Sequence, residues 1–217
     1  MRTLILVPTQ LERQALEPIV APSLQRDDRL ELCGFGPVAA AARTAALLAR
    51  HRPQRVVLVG IAGGLDDSLA IGSAHRFGQV ACYGIGIGSR ADFAPAAAIG
   101  WPQWPGDAAE GSPAIGDLIE CGTVPTAGAE SRLLLTTCAA AATADDVRDR
   151  KRVFPTAAAE DMEGFAVAFA CRLEGVPCDI VRGISNRAGD REQLRWRTAA
   201  ALEAAGRLAA QTIAGMP

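Results

Sequence analysis

Apolar runs of strand length alternate along this chain with stripes at helical spacing. Residues 3–8 (TLILVP) are a first strand-length run. Leu11, Ala15, Leu16 and Ile19 follow at helical spacing and predict a helix from Gln10 to Ile19. The turn Gly34-Phe35-Gly36-Pro37 opens an Ala-rich helix from Val38 to about Arg50, with Pro37 where its missing N–H is not needed. Residues 55–60 (RVVLVG) read as a strand buried on both faces that ends in Gly60-Ile61-Ala62-Gly63-Gly64. A strand pair is expected over 73–83, and loop with short helix over 84–117. Strands follow at 118–124 and 132–138, then a charged helix at 143–152 and a helix from Met162 to Glu174. The strand 178–184 (CDIVRGI) and an Ala-rich helix from Leu194 to Ala214 complete the pattern.

Strands alternating with helices predict an α/β fold with a largely parallel or mixed sheet. No internal repeat and no Ser/Pro-rich linker divides residues 1–217, so one domain is expected. In such folds ligands lie beyond the C-terminal ends of the strands. That directs attention to 8–13, 60–65, 136–142, 160–164 and 182–197.

Composition narrows the function. With 22 basic and 24 acidic side chains the formal charge is -2, which gives no electrostatic footprint for nucleic acid or an anionic membrane. No apolar run is long enough for a transmembrane helix, and the five-residue run near the N-terminus is too short for a signal peptide. A cytoplasmic location is expected. The six cysteines form no C-x-x-C pair and the two histidines are distant from them, so neither a metal site nor a cofactor is expected. Ala supplies 43 residues and Arg 21 of the 22 basic ones, as GC-rich codon usage would. A core rich in Ala has to rely on close backbone approach more than on large side chains.

Four strand ends carry chemistry. Glu12 begins a helix, where the dipole favours a carboxylate. Gly60 to Gly64 would let a ligand approach the backbone closely, but they match neither a P-loop nor a dinucleotide fingerprint. In Glu160-Asp161-Met162-Glu163-Gly164, three carboxylates would repel one another unless a partner holds one. Glu163 heads a buried stripe and is either a helix-start acceptor or an acceptor for ligand hydroxyls. Arg182, inside an apolar strand, should face a carboxylate. Glu12 and Glu163 are the attractive partners, and a purely structural ion pair is the alternative. Ser185 and Asn186 follow it.

Taken in order, these segments resemble the purine nucleoside phosphorylase and nucleosidase superfamily. The motifs are Glu12 after the first strand, Gly34-Phe35-Gly36-Pro37-Val38, Gly60 to Leu65, Asp161-Met162-Glu163-Gly164 and Val181 to Asn186, and the match spans about residues 3–212. Within it, Ile184-Ser185-Asn186 followed by Gly189-Asp190-Arg191-Glu192 and Trp196 resembles the futalosine hydrolases of the alternative menaquinone pathway. The resemblance implies a three-layer α/β/α fold with a central mixed sheet and a homodimer or higher oligomer. It also implies hydrolysis of an N-glycosidic bond, with a small nucleoside as partner. It gives Glu12 the water, Glu163 the ribose 2′-hydroxyl, Met162 the ribose face, Arg182 the orienting of Glu12 and Ala62 and Gly63 the amides near the sugar. Asp161 and Ser185 join the substrate-binding set. Asn186 stands where methylthioadenosine/S-adenosylhomocysteine nucleosidases carry Asp, and its NH2 suits N7 and O6 of a 6-oxopurine. Those nucleosidases, a phosphorylase and a non-catalytic nucleoside-binding relative are the alternatives. Ala139 and Ala140 stand where relatives place a stacking aromatic, which Phe35, Phe154 or a Trp of 101–104 would replace. The substrate's aromatic tail is expected near 80–100.

Overall fold

The computed structural model describes residues 2–109, 111–122 and 132–215. The chain opens with strand β1 (Thr3–Val7), helix α1 (Gln10–Val20), β2 (Arg29–Leu32) and α2 (Pro37–His51). β3 (Arg55–Gly64), β4 (Ala74–Phe77) and β5 (Gln79–Tyr83) follow, then a two-residue ribbon of β6 (Gly86–Ile87) and β7 (Ala94–Pro95). β8 (Leu118–Glu120), β9 (Leu133–Thr137) and α3 (Ala144–Val153) lead to β10 (Ala157–Asp161), α4 (Gly164–Leu173), β11 (Cys178–Arg187) and α5 (Thr198–Ala214).

β3 is the hub of a mixed sheet. The sheet runs β2-β1-β3-β10-β9-β5-β8, with β11 paired to both β3 and β4. β1 lies parallel to the first half of β3, β11 runs parallel along most of its length, and β10 meets its last two residues antiparallel. Side-chain alternation divides the core into two layers. Leu4, Leu6, Val56 and Leu58 pack under α2 and α4, whereas Ile5, Val7, Val57 and Val59 pack under α1 and α5. The result is the α/β/α sandwich expected, with five α-helices among the described residues. Among the described residues no helix is long and apolar enough to cross a membrane.

Three local expectations change. Residues 73–83 do form two strands, but these do not pair with each other: β4 pairs antiparallel with β11 and β5 parallel with β9. The strand expected over 55–60 does not end at the Gly-rich stretch, because β3 continues through Gly64 with β11 alongside it. β10 is not legible in the sequence, since Ala157-Ala158-Ala159-Glu160-Asp161 has little intrinsic strand preference. It is extended because β9 and β3 pair it on both sides. Of the strand expected over 118–124, residues 123–124 lie outside the described residues.

Close backbone approach occurs where the Ala-rich composition suggests it. A Cβ on Gly183 would sit 2.1 Å from the Ala201 carbonyl oxygen of α5. Glycine there lets α5 lie directly on β11.

Candidate active site

A cavity of about 750 Å³ opens beyond the strand ends. All five segments singled out from the sequence contribute to its wall: Thr9 and Glu12, Ile61 to Gly63, Ala140 to Ala142, Glu160 to Glu163, and Ser185, Asn186 and Trp196.

Glu12 is held rigidly at the start of α1. Thr9 caps the helix, and Glu12 closes a capping box with it. Glu12 Oε2 accepts from Thr9 N–H at 3.1 Å and from the Thr9 hydroxyl at 2.6 Å. Its Oε1 accepts from the Ile61 N–H at 3.1 Å. The carboxylate is 5% exposed for the residue as a whole, so these donors replace most of its water. The Thr9-x-x-Glu12 spacing is a sequence signal for this arrangement. Ile61, whose side chain packs partly into the α1/α5 core layer, positions Glu12 through its backbone.

Behind the wall, Arg182 is fully buried among three carboxylates. Its Nε and Nη2 donate to Asp161 Oδ2 at 3.0 and 2.6 Å, and Nη2 also reaches Glu163 Oε2 at 3.3 Å. The principal partner is therefore Asp161, not Glu12. Glu12 contributes only through its charge, and Thr9 and the Ile61 amide orient it instead. Arg182 Nη1 has no hydrogen-bond partner among the described residues. It lies over Gly60, where a Cβ would be 2.2 Å from Nη1 and 2.7 Å from Glu12 Oε1. Only glycine lets the guanidinium pass there. Burial opposes the Arg182 charge, but Asp161, Glu163 and Glu12 outweigh it and hold its pKa above the ordinary value.

Asp161, placed with the substrate-binding residues by resemblance, is fully engaged as scaffold. It accepts from the Thr136 hydroxyl at 2.6 Å and from the Gly164 N–H at 2.8 Å, besides Arg182. Asp161 thus caps α4, which leaves the Glu163 side chain free of that task. Glu163 Oε1 instead accepts from the Gly36 N–H at 3.0 Å, tying the α2 turn to the cavity. Burial pushes the Glu163 carboxyl up to about 7; Arg182 and the Gly36 amide oppose the rise, and Asp161 and Glu12 add to it.

β11 carries the remaining polar residues past a bulge. Ile184 pairs with Ala62 and Asn186 with Gly63, so Ser185 is the extra residue. Bulges of this kind re-aim side chains beside sites. Ser185 Oγ donates to Asn186 Oδ1 at 2.7 Å and contacts the Ala62 carbonyl at 3.2 Å. Asn186 Nδ2 donates to the Arg187 carbonyl at 2.8 Å, with a longer contact of 3.5 Å to Asp190. Ala62, Gly63 and Met162 line the cavity.

Aromatic candidates separate cleanly. Phe35 lines the cavity and is 66% exposed, whereas Phe154 packs beside Leu65 and Leu133, and Trp104 packs against the α2/α4 core layer. Trp196 also lines the cavity, with the Arg191 guanidinium 5.3 Å above its ring. No residue of 80–100 lines it, whereas Arg191, Gln193 and Trp196 do. Among the described residues no group of three or more His, Cys, Asp or Glu is placed to hold a metal ion.

Residues 29–214 match the family model of the phosphorylase superfamily. The chain belongs to the phosphorylase superfamily. Among relatives in that superfamily, 5′-methylthioadenosine/S-adenosylhomocysteine nucleosidase of Shewanella oneidensis is 32% identical over 166 residues, 72% of this chain and 65% of that protein. The match thus spans just under two thirds of that relative's length. Futalosine hydrolase of Streptomyces coelicolor is 34% identical over 185 residues, 81% of this chain and 76% of that one. In structure, the phosphorylase-superfamily fold overlays the Neisseria meningitidis methylthioadenosine/S-adenosylhomocysteine nucleosidase bound to methylthio-immucillin-A with a TM-score of 0.78. That overlay is at 19% identity and covers 99% of each chain. Futalosine hydrolase of Helicobacter pylori overlays with a TM-score of 0.71 at 18% identity, covering 98% of this chain and 95% of that one.

Proposed function

We propose that this protein is a nucleosidase that hydrolyses the N-glycosidic bond of a 6-oxopurine nucleoside, with futalosine as the substrate and hypoxanthine as the base released. The observation that carries the reading is the pair of buried carboxylates, Glu12 and Glu163, that line one cavity. Glu12 takes a proton from water as its oxygen bonds to the anomeric carbon. The bond from that carbon to purine N9 breaks, and its electron pair leaves with the base. Glu163 accepts from the ribose 2′-hydroxyl, and its charge favours the cationic sugar of the transition state. Met162 covers the ribose face. The departing base carries negative charge on N7 and O6, and Asn186 donates there. Its Nδ2 makes one close bond, to the Arg187 carbonyl, and its contact to Asp190 is at the 3.5 Å limit of a hydrogen bond, so its second N–H is only weakly engaged.

Hydrolysis is supported over phosphorolysis by the cations. Arg13 pairs with Glu17 at 3.4 Å and Arg43 lies 3.9 Å from Glu31, and neither lines the cavity. Among the described residues that line it, Arg191 alone is cationic. The reading is tested by incubating the protein with futalosine, inosine and methylthioadenosine, with and without phosphate, and separating the released bases. Hypoxanthine from futalosine without phosphate is the expected product. Faster release of adenine from methylthioadenosine would favour the other nucleosidase reading, and a strict phosphate requirement would make this a phosphorylase.

Activity should rise with pH. If ionised Glu163 binds the 2′-hydroxyl, kcat/KM climbs through about pH 7, where its raised pKa lies. The residual activity of Glu163→Gln lacks that limb. Stability follows the opposite sense. A carboxyl whose pKa is raised in the fold favours the fold when protonated. That contribution is full below the ordinary carboxyl value and is lost as pH rises through about 7. A pH profile of kcat/KM with no break between about 6 and 8 contradicts this assignment.

A further inference from the structure

Glu160 takes no part in the machinery above, although it lines the same cavity. Successive strand residues point to opposite faces. Asp161 turns toward Arg182 and α4, and Glu160 toward α3 and the loop after β9. Glu160 Oε1 accepts from the Ala141 N–H at 2.8 Å, and Oε2 pairs with Arg150 of α3. Arg150 Nη2 in turn donates to the Ala139 carbonyl at 2.7 Å. Glu160 and Arg150 are only 4% and 6% exposed, so each compensates the other's buried charge and together they fix the loop.

These bonds occupy two of the four acceptor positions of the carboxylate and leave acceptor capacity unused. The adjoining wall, Ala140 to Ala142, carries only methyl side chains. Across the sheet, Gly63 of β3 is paired with Glu160 on β10 and with Asn186 on β11. Glu160 and Asn186 are thus separated by two strand spacings, about 10 Å, with glycine between them. That is the order of span a purine needs when it is hydrogen-bonded at both edges.

The two purine classes differ at N1. A 6-oxopurine carries a hydrogen there, whereas a 6-aminopurine presents a lone pair. An ionised carboxylate only accepts hydrogen bonds, so it attracts the first and repels the second. We infer that Glu160, fixed by Arg150 and the Ala141 amide, accepts the N1–H of a 6-oxopurine base and so determines base specificity. This rests on the nucleosidase reading above and names the residue that selects its substrate class. Asn186 reads the N7 edge, and Glu160 reads the N1 edge.

The test is calorimetric binding of hypoxanthine, 1-methylhypoxanthine and adenine to the protein and to Glu160→Gln, with thermal melts of both. The unaltered protein should bind hypoxanthine about 10- to 100-fold more tightly than 1-methylhypoxanthine, the loss typical of one charge-assisted hydrogen bond. Glu160→Gln should lose about tenfold or more for hypoxanthine and less than about threefold for the methylated base. Equal binding of the two hypoxanthines by the unaltered protein overturns the inference, and so does an equal loss of both in the variant, which would mark a purely structural ion pair. Should the variant fail to fold, the comparison of the two bases on the unaltered protein decides alone. Adenine bound more tightly than hypoxanthine would instead overturn the 6-oxopurine reading itself. Hypoxanthine preferred over adenine without any effect of the methyl group leaves that reading standing and removes only Glu160 from it.

Discussion

Glu12→Gln is expected to lower kcat by about 10²- to 10⁴-fold, the usual contribution of a positioned general base, while free hypoxanthine still binds within a few-fold. The carboxylate accepts three hydrogen bonds, from Thr9 N–H, the Thr9 hydroxyl and the Ile61 N–H. Gln keeps the size and one acceptor oxygen but cannot take a proton from water. Its NH2 would also face one of these donors, which weakens the capping box by about 0.5–2 kcal/mol. A melt should therefore show a small fall beside a large loss of turnover. Steady-state kinetics and calorimetry on the same preparation separate the two readings of this protein. An enzyme loses turnover and keeps ligand, whereas a nucleoside-binding relative has no turnover to lose. Turnover that stays within about threefold would remove Glu12 from the chemistry.

Arg182→Met should be the most destabilising change in the site, by about 3–5 kcal/mol, because it leaves buried carboxylates without their cation. For a domain of this size that is a fall of roughly 6–20 °C in Tm. Arg182 is 0% exposed and joins Asp161 directly to Glu163, with the Glu12 charge beside it. The cause can be separated from lost packing. If orphaned negative charge is responsible, adding Asp161→Asn and Glu163→Gln to Arg182→Met recovers part of the stability. The deficit of the single variant should also shrink toward low pH, where the abandoned carboxyls take up protons. A Tm within about 2 °C of the parent, or a deficit that ignores pH, would show that the cluster matters little to the fold.

Several of these residues are legible in the amino-acid sequence, for local reasons. Glu12 follows a strand run and starts an amphipathic helix, so its position depends on neighbours a few residues away. Glu163 is equally plain as a carboxylate heading a buried stripe, and Arg182 as a cation inside an apolar strand that must find an acid. Which acid it finds is not legible. Asp161 stands next to Met162 and Glu163 in a stretch whose pattern suggests only the approach to a helix. Its actual place at the end of β10 depends on pairing with β9 and β3. Without that strand, the alternation that sends Asp161 to Arg182 and Glu160 to Arg150 is hidden as well. Phe35 and Trp196 both stand out in the sequence. Only the fold shows that they reach the cavity and that Phe154 and Trp104 do not.

The sequence by itself determined the alternation of strands and helices, most helix starts and the strand ends at which chemistry gathers, because hydrophobic period, caps and glycine turns act over a few residues. The tertiary structure decided how the buried charges pair, where β11 bulges at Ser185 and which carboxylates reach the cavity. A buried ion takes whichever opposite charge the packing brings within about 3 Å, and the distances along the chain, 21 residues from Arg182 to Asp161 and 10 from Arg150 to Glu160, do not encode that choice.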